Sequence, residues 1–339
     1  MVLIDAIYIH SYGGASILQA FINELSKANL SNKKKVYFLL DDRIDLNQIN
    51  GINSFTIKKI KASHFNRREA YKTIYKNIDK VICLSNVPPP ITINKKVYIY
   101  FHNLLLLRRK TNFSSLFFLL TSLIKMLYIR FYNSNRYNWI VQTVYMKKEL
   151  ELKLKVKSAM IDVIPFYQIE DIDYQNKDFQ TNELKFLCVT SNAKHKNLKR
   201  LINSFLKSNF LKQQKVTLLL TIDGKNFTNG NLNVQYLGYL DRSEMIRAYS
   251  QSQYLIFPSL IESFGLPIIE AIKSGSNVLI SNIKSLKEIC KPSVLFDPYD
   301  EKDIIKAFEK ASNFSYEDKS RIIVKNEINT FIKLIVNNV

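Results

Sequence analysis

The sequence predicts an α/β protein in which two parallel, doubly wound sheets follow one another along the chain. Short apolar runs alternate with amphipathic segments, as they do when helices connect parallel strands. This alternation occurs twice, on either side of a polar, locally acidic stretch at 166–183. The 339 residues, 47% of them hydrophobic, suffice for two domains of ordinary size. We therefore expect two Rossmann-like domains joined by a linker.

The first domain is expected to span residues 1–165. Its predicted strands are short apolar runs typical of buried strands. They are 2–9, Lys35–Leu40, Asn53–Ile57, Val81–Leu84, Val97–Phe101, Asn138–Thr143 and Ile161–Pro165. Helical spacing runs from Arg67 to Asn77. Because strands and helices alternate, the pattern favours a parallel sheet.

The second domain is expected to span residues 184–321, after the linker at 166–183, and residues 322–339 are predicted to form a final helix. The predicted strands are Leu184–Thr190, Val216–Leu220, Val234–Gly238, Tyr254–Phe257, Asn277–Ile280 and Val294–Phe296. The predicted helices between and after them include Leu198–Leu206, Ser243–Ser250 and Glu301–Ala311.

The stretch from 257 to 275 predicts a strand, a loop and a helix. Ser263 is a candidate N-cap, and Pro267 suits the first helical turn, where a missing N–H is harmless. Gly275 suits the left-handed position that ends a helix, which would then be about three turns long. Glu262 therefore lies in the loop and Glu270 in the helix.

This arrangement suits a nucleotide-sugar donor. A helix N-terminus attracts a diphosphate, Gly265 permits close approach, and Glu270 can accept hydrogen bonds from a ribose. The plainer alternative is a solvated Glu270 and a Glu262 that merely complements the helix dipole. The whole string Pro-Ser-x-x-Glu-Ser-Phe-Gly-Leu-Pro-x-x-Glu-Ala, which begins at Pro258, closely resembles the Glu-x7-Glu signature of the family 4 retaining glycosyltransferases. Those enzymes have the GT-B fold, two Rossmann-like domains with a cleft between them. The resemblance implies that domain 1–165 binds the acceptor, that domain 184–321 binds the donor, and that the helix at 322–339 crosses back to the first domain.

The resemblance implies specific roles around this signature. Glu262 would be catalytic and contact the transferred sugar, while Glu270 would bind the ribose. Ser263, Phe264 and Gly265 would complete this part of the donor site. The nucleoside-diphosphate sugar would be a substrate, and no separate cofactor is expected.

A second donor contact is expected at Lys196, which precedes a predicted helix. Its ammonium and the free N–H groups can converge on a diphosphate, although a lone lysine there is more simply a solvated cation. The family carries a lysine at this place. Relatives usually also have an arginine about one turn earlier, where this chain has Ser191. The phosphate contacts would then fall to Lys196, to helix N-termini and to Lys194.

The first domain offers two further candidates. Gly13 and Gly14 fall between a predicted strand and helix, where glycines permit a tight turn or close approach to a phosphate or sugar. His102 follows a strand at its carboxyl end, where open α/β sheets bind ligands. A histidine bonded to loop backbone is the alternative. The resemblance implies that His102 is catalytic, contacting the sugar, and that Gly13 and Gly14 belong to the donor site at the reacting centre.

Charge indicates an anionic partner. The formal net charge is +20, and no acidic residue occurs between Asp79 and Glu149. The same interval contains Arg108-Arg-Lys110 and the aromatic and aliphatic stretch 113–132, which is too short between charges to span a bilayer. We interpret it as an amphipathic helix on an anionic membrane surface or as a core helix with solvated cations. Nucleic acid would explain the charge but none of the motifs.

Absent motifs narrow the function. The sequence has no Asp-x-Asp motif, no His/Cys cluster at ligand spacing and no Walker loop, so no metal is expected. Three scattered cysteines and an N-terminus without a basic leader fit a reduced, cytoplasmic protein.

Together with the resemblance, these features predict a metal-independent, retaining hexosyltransferase of bacterial surface-polysaccharide (O-antigen or capsule) assembly. It would lie on the cytoplasmic face of the cell membrane and use a glycan or polyprenyl-diphosphate-linked acceptor. The main alternative is a non-catalytic GT-B subunit that binds a membrane or partner enzyme; a nucleotide-sugar epimerase is a third.

Overall fold

The computed structural model describes residues 1–10, 12–28, 35–46, 49, 51–107, 116–168, 183–312 and 319–336. The chain divides into two compact units. The first comprises Met1–Ile169 with Lys325–Val339, and the second comprises Glu170–Val324. Most of the expected linker, and the basic run Arg108-Arg-Lys110, lie outside the described residues.

The first unit is built on a seven-stranded parallel sheet in the order β3-β2-β1-β4-β5-β6-β7. The strands are β1 (Val2–Ala6), β2 (Val36–Asp41), β3 (Thr56–Ile60), β4 (Lys80–Cys83), β5 (Lys96–Phe101), β6 (Asn138–Val141) and β7 (Ile161–Val163). The helices are α1 (Tyr12–Lys27), α2 (His64–Ile74), α3 (Leu116–Tyr132), α4 (Val144–Leu154) and α10 (Ile328–Val336).

The C-terminal helix α10 forms part of the core of the first unit. Its buried residues recur at helical spacing, namely Ile328, Phe331, Ile332 and Ile335. The Phe331 ring packs against Phe21 of α1 at 5.4 Å and against Phe166 at 5.1 Å between centroids. Aromatic contacts of this kind add to the apolar burial that holds a helix on a sheet.

The second unit contains a seven-stranded sheet in the order β10-β11-β9-β8-β12-β13-β15, in which only the β10–β11 pair is antiparallel. The strands are β8 (Leu184–Cys188), β9 (Val216–Leu220), β10 (Phe227–Asn229), β11 (Leu232–Tyr236), β12 (Tyr254–Phe257), β13 (Asn277–Ser281) and β15 (Val294–Phe296). A small antiparallel pair joins β14 (Cys290–Lys291) to β16 (Arg321–Ile322). The helices are α5 (Leu198–Lys207), α6 (Arg242–Ser250), α7 (Leu266–Lys273), α8 (Lys284–Lys287) and α9 (Glu301–Ser312).

The predicted fold class, two Rossmann-like domains with parallel sheets, is confirmed, but several element boundaries differ from the prediction. Strand β11, for example, is Leu232–Tyr236 rather than 234–238, and α2 is His64–Ile74 rather than 67–77. Two other differences have a clear local cause. The third strand begins at Thr56 rather than 53, because Gly51 in the left-handed region starts a 3₁₀ turn at Ile52–Ser54. The final helix begins at Ile328 rather than 322, because Arg321–Ile322 pairs with β14.

The three cysteines are buried and free, and burial raises the pKa of each thiol to about 12. Within the described ranges, no helix combines the length and the apolar character needed to cross a membrane.

Candidate functional site

The main candidate site lies where the strand order of the second unit reverses direction. Strand β8 pairs with β9 on one side and with β12 on the other. The loops that follow β8 and β12 therefore leave the sheet at its carboxyl edge in opposite directions, which is where open α/β sheets bind ligands. The Leu260 N–H donates to the His195 carbonyl at 2.8 Å and holds these two loops together.

An ion pair joins the two loops. Lys196 Nζ lies 2.8 Å from Glu262 Oε2, and the two side chains are only 21% and 18% exposed. The ammonium also lies 5.3 Å from the centre of the Phe257 ring, a cation–π contact. The pair brings together Lys196, which was expected to bind the donor, and Glu262, which was expected to be catalytic.

The turn before α5 fixes the position of Lys196. Lys194–Lys196 form a 3₁₀ turn, and Asn197 follows in the left-handed region with φ 59°. The buried Asn197 amide donates to the Pro298 carbonyl at 2.7 Å, which ties the turn to the loop after β15. The ammonium of Lys196 is therefore presented beside the N-terminus of a helix.

His195 is a neighbour that the sequence did not single out. Burial and the adjacent Lys196 lower the pKa of its imidazole, while Glu262 opposes this shift. A neutral imidazole beside the ion pair adds a hydrogen-bonding group without adding charge.

The loop after β12 differs from the prediction at its helix start. Gly265, not Ser263, is the N-cap of α7, and its φ of 84° requires glycine in practice. A Cβ on Gly265 would also lie 3.0 Å from Ile268 Cδ1. The Ser263 N–H instead donates to Glu262 Oε1 at 3.1 Å, and the Phe264 side chain is buried. The helix has eight residues, nearer two turns than three, and Pro267 is in its first turn as predicted.

Glu270 is hydrogen-bonded through both carboxylate oxygens. Arg242 Nη1 lies 2.6 Å from Oε1, and the Tyr249 hydroxyl donates to Oε2 at 2.8 Å. Burial and Glu270 raise the pKa of the Tyr249 hydroxyl well above its usual value. Glu270 thus links α7 to α6. It is not simply a solvated residue on the helix surface, which was the alternative considered from the sequence.

Gly13 and Gly14 lie in the first turn of α1 and not between a strand and a helix. Helical backbone there does not require glycine. A Cβ on Gly13 would meet no atom within 4 Å, and one on Gly14 would lie 3.5 Å from Ile9 Cγ2. A ligand could therefore approach the backbone at Gly13 and Gly14, at the start of α1.

His102 follows β5, and the side chain of Asn86 holds it. Asn86 Oδ1 accepts from the backbone N–H groups of His102 at 2.6 Å and Asn103 at 3.0 Å. The other end of the amide, Nδ2, can only donate, and it lies 3.2 Å from His102 Nε2. Nε2 is therefore the acceptor, and the ring proton is on Nδ1. Burial lowers the pKa of His102 to about 4, so the imidazole is neutral.

The imidazole and two nearby side chains have buried polar atoms that make no hydrogen bond of normal length and angle among the described residues. They are His102 Nδ1, Tyr100 Oη and Gln142 Nε2. The Tyr100 and His102 rings lie 5.8 Å apart, and Gln142 follows the strand β6 that pairs with β5. Burial raises the pKa of Tyr100 well above its usual value, and the nearby Gln142 side chain offsets this only in part. Sequence patterns gave no sign of this cluster, because both neighbours lie in apolar strand segments.

Helix α3 has an apolar stripe on its exposed side. Leu120, Ile124, Leu127 and Phe131 recur at helical spacing and are between 51% and 80% exposed. Met126 and Ile129 on the other side are buried, and Lys125 and Arg130 are exposed. The helix therefore packs against the core on one side and exposes apolar side chains on the other, with Lys125 and Arg130 exposed beside them. Membrane binding by this helix stays a prediction.

Among the residues whose placement is described, no group of three or more His, Cys, Asp or Glu side chains could hold a metal ion.

Comparisons with known proteins match the second unit to glycosyltransferases. The family described as glycosyl transferases group 1 matches residues 170–328. The serotype-specific mannosyltransferase WbdA of Escherichia coli is 40% identical over 77 residues, which cover 22% of this chain and 9% of WbdA. The O-antigen chain mannosyltransferase RfbU of Salmonella typhimurium is 27% identical over 196 residues, 53% of this chain and 54% of RfbU. The chain thus aligns with at most about half the length of these relatives.

The fold has a match over its full length. The crystal structure of WaaG, a glycosyltransferase involved in lipopolysaccharide biosynthesis, superposes with a TM-score of 0.67 over 100% of both chains. The sequence identity is 10%, so this likeness shows the shared GT-B fold alone.

Proposed function

We propose that this chain is a retaining glycosyltransferase of bacterial surface-polysaccharide synthesis, because residues 170–328 match the family described as glycosyl transferases group 1. It would transfer a hexose from a nucleoside-diphosphate sugar to a glycan or a polyprenyl-diphosphate-linked acceptor. Mannose is the first sugar to test, since WbdA and RfbU are mannosyltransferases by name.

The observation that carries this proposal is the Lys196–Glu262 pair at the carboxyl edge of the second sheet. An ammonium beside a helix N-terminus can neutralise a diphosphate as it leaves, which is the task that a metal ion performs elsewhere. The carboxylate on the same ammonium would then lie beside the sugar. Lys196 would thus act on the diphosphate and Glu262 on the sugar, the two groups joined by the bond that breaks.

We propose the following course for the reaction. The bond between the anomeric carbon and the β-phosphate oxygen breaks, and its electron pair leaves with the nucleoside diphosphate. An acceptor hydroxyl oxygen forms the new bond on the same face, so the configuration is retained. The hydroxyl proton passes to the departing diphosphate. Glu262 stabilises positive charge that develops on the sugar.

Glu270 fits the role of a ribose ligand. Arg242 and Tyr249 already orient its carboxylate. Each carboxylate oxygen has more than one lone-pair site. Glu270 can therefore accept hydrogen bonds from two ribose hydroxyls while it keeps those from Arg242 and Tyr249. A carboxylate held in place in this way loses little side-chain entropy when the donor binds.

Each glycine and histidine candidate of the first unit has a role in the same proposal. The space at Gly13 and Gly14 would admit the reacting groups close to the backbone. His102 is neutral, so it would act as a hydrogen-bonding group and not as a cation. Its Nε2 atom can accept a sugar hydroxyl in place of the Asn86 amide.

The proposal is tested by release of nucleoside diphosphate from a panel of nucleotide sugars, supplied with polyprenyl-diphosphate-linked sugars as acceptors. We expect turnover with one donor and its loss in Glu262→Ala and Lys196→Ala, with the fold verified by circular dichroism. A chain that binds the donor and never transfers the sugar would instead be the non-catalytic subunit. Lys207→Ala, in another lysine–carboxylate pair of the same unit, is the matched control.

We further propose that the protein works at the cytoplasmic face of the cell membrane, bound to anionic lipid through α3. The exposed stripe of α3 buries apolar area at an interface, and Lys125 and Arg130 beside it attract anionic headgroups. Each cation near the surface contributes about 1 kcal/mol. A polyprenyl-linked acceptor would be presented at that surface.

Vesicle sedimentation tests this second proposal. We expect binding to phosphatidylglycerol vesicles, weaker binding to phosphatidylcholine vesicles and release by salt. The substitutions Ile124→Ser and Phe131→Ser together should weaken binding, whereas Tyr239→Ser, at an exposed aromatic residue of the second unit, should not. Equal sedimentation of the wild type and the α3 variant would contradict the proposal.

A further inference from the structure

The turn that follows β1 places a tyrosine where glycine is usual. The Ile9 N–H donates to the Ala6 carbonyl at 3.1 Å, which closes a four-residue turn with Tyr8 in its third position. Tyr8 has φ 77°, in the left-handed region. A third turn residue with positive φ is normally glycine or asparagine, because a Cβ is strained there. For a bulky aromatic residue this conformation is a genuine outlier.

The other left-handed residues of the described chain, glycines aside, have a local explanation. Lys155 and Asn197 are helix caps, at the end of α4 and the start of α5. Asn86 uses its side chain to bind two backbone N–H groups. Tyr8 caps no described helix, since α1 begins at Tyr12. Residues held in a strained backbone conformation that has no evident structural role cluster at functional sites.

The turn exposes the ring at the ligand-binding edge of the sheet. Ile7 and Ile9 on either side are buried, while Tyr8 is 40% exposed. The turn lies at the carboxyl end of β1, which is where the strand order of the first sheet reverses between β1 and β4. The chain then continues into α1, whose first turn contains the open space at Gly13.

Charged side chains lie at the same edge of the sheet as this turn. The buried Asp41 carboxylate, at the end of the neighbouring β2, is held by Arg43 through contacts of 2.8 and 2.7 Å. His10 Nδ1 lies 3.8 Å from the same carboxylate. Burial raises the pKa of the Tyr8 hydroxyl, and Asp5 and Asp41 add to this shift while Arg67 opposes it. The ring therefore stays neutral, beside charged groups that the fold already orients.

We propose that Tyr8 is the aromatic platform of an acceptor subsite and packs against the apolar C–H face of a pyranose ring, with His10 and Arg43 available to its hydroxyls. This inference rests on the proposed sugar transfer and adds the class of acceptor group and the residue that selects it. A half-exposed aromatic ring with a few oriented polar groups is the usual composition of a site for such a ligand. The strained turn holds the ring outward.

Four proteins test the platform: the wild type, Tyr8→Phe, Tyr8→Ala and Tyr8→Gly. Binding of methyl mannoside, methyl glucoside and methyl galactoside is measured by saturation-transfer NMR. Tyr8→Phe keeps the ring and should bind within twofold of the wild type. Tyr8→Ala and Tyr8→Gly lose the ring and should bind about 3–10-fold more weakly. Tyr8→Gly should melt above Tyr8→Ala, since both lack the ring and only alanine keeps the strain.

Each alternative outcome overturns the inference. A ring that only packs against the fold would change the melting temperature of the Gly and Ala variants and leave glycoside binding within twofold. A wild type that binds none of the three glycosides at tens of millimolar would also refute it. Donor turnover is measured separately, so a failed platform with intact transfer is distinguishable from failure of the proposed function.

Discussion

Neutralising Glu262 should strengthen nucleoside-diphosphate binding, whereas removing Lys196 should weaken it. In the free protein the Lys196 ammonium lies 2.8 Å from the Glu262 carboxylate. A diphosphate that contacts the same ammonium would lie roughly 6 Å from that carboxylate, where repulsion is on the order of 2–3 kcal/mol at an effective dielectric constant of about 20. Both side chains are partly exposed, so solvent and salt reduce this to about 1 kcal/mol.

Glu262→Gln should therefore bind GDP or UDP about fivefold more tightly than the wild type, although it has lost the carboxylate needed for transfer. Lys196→Ala removes a charge-assisted contact and should bind about 10–150-fold more weakly, as expected for a loss of about 1.5–3 kcal/mol. Isothermal titration calorimetry at low and moderate salt measures both. The gain in Glu262→Gln should shrink as salt rises.

A matched control is available in the same unit. Glu301 pairs with Lys207 at 2.6 Å, so Glu301→Gln removes the same charge from a comparable pair outside the site. Its effect on nucleotide binding should be within twofold. If Glu262→Gln weakens nucleotide binding as much as Lys196→Ala does, the diphosphate does not share this ammonium and the reasoning is refuted.

Three further predictions follow from the same geometry. Glu270→Ala should weaken donor binding by about 1.5–3 kcal/mol, because charge-assisted bonds to ribose are lost, and calorimetry should show a much smaller effect for Tyr249→Phe, which keeps the carboxylate. Transfer should persist in excess chelator; loss of activity that magnesium restores would contradict metal independence. Burial lowers the pKa of His102 from 6.5 to about 4, so between these values the unfolded chain binds a proton that the folded chain does not. The free energy of unfolding should therefore fall by about 3 kcal/mol as the pH drops through this window, and His102→Gln should lack that fall in urea unfolding measured across the pH range.

The sequence was sufficient for the fold and for the loops that contain the site, because both depend on local patterns. Apolar runs of four to six residues, such as 254–257, form strands largely where the runs occur. Lys196 and Glu262 follow two such runs, so their position at the carboxyl edge was predictable. The start of α7 was not, because a left-handed Gly265 takes the N-cap position from a serine that is ordinarily a better candidate.

The partners of the site residues could not be read from the sequence. Lys196 and Glu262 are 66 residues apart, and Arg242 and Glu270 are 28 apart, so only the folded chain brings them together. The tautomer of His102 depends on Asn86, whose amide orientation is set by two backbone N–H groups. The sequence pattern does not distinguish Tyr8 from other residues at strand ends, because its positive φ appears only in the folded backbone.

The central claim is that this chain binds a nucleoside-diphosphate sugar through Lys196, Glu262 and Glu270. The most direct measurement is the melting temperature with a panel of nucleotide sugars, including GDP-mannose, UDP-glucose and UDP-galactose. A ligand at 100 times its Kd stabilises the folded state by about 2.7 kcal/mol, which is about 5–10 °C for a unit of this size. We predict such a shift with one donor and its loss in Lys196→Ala; no shift with any nucleotide sugar, or an undiminished shift in Lys196→Ala, would contradict the claim.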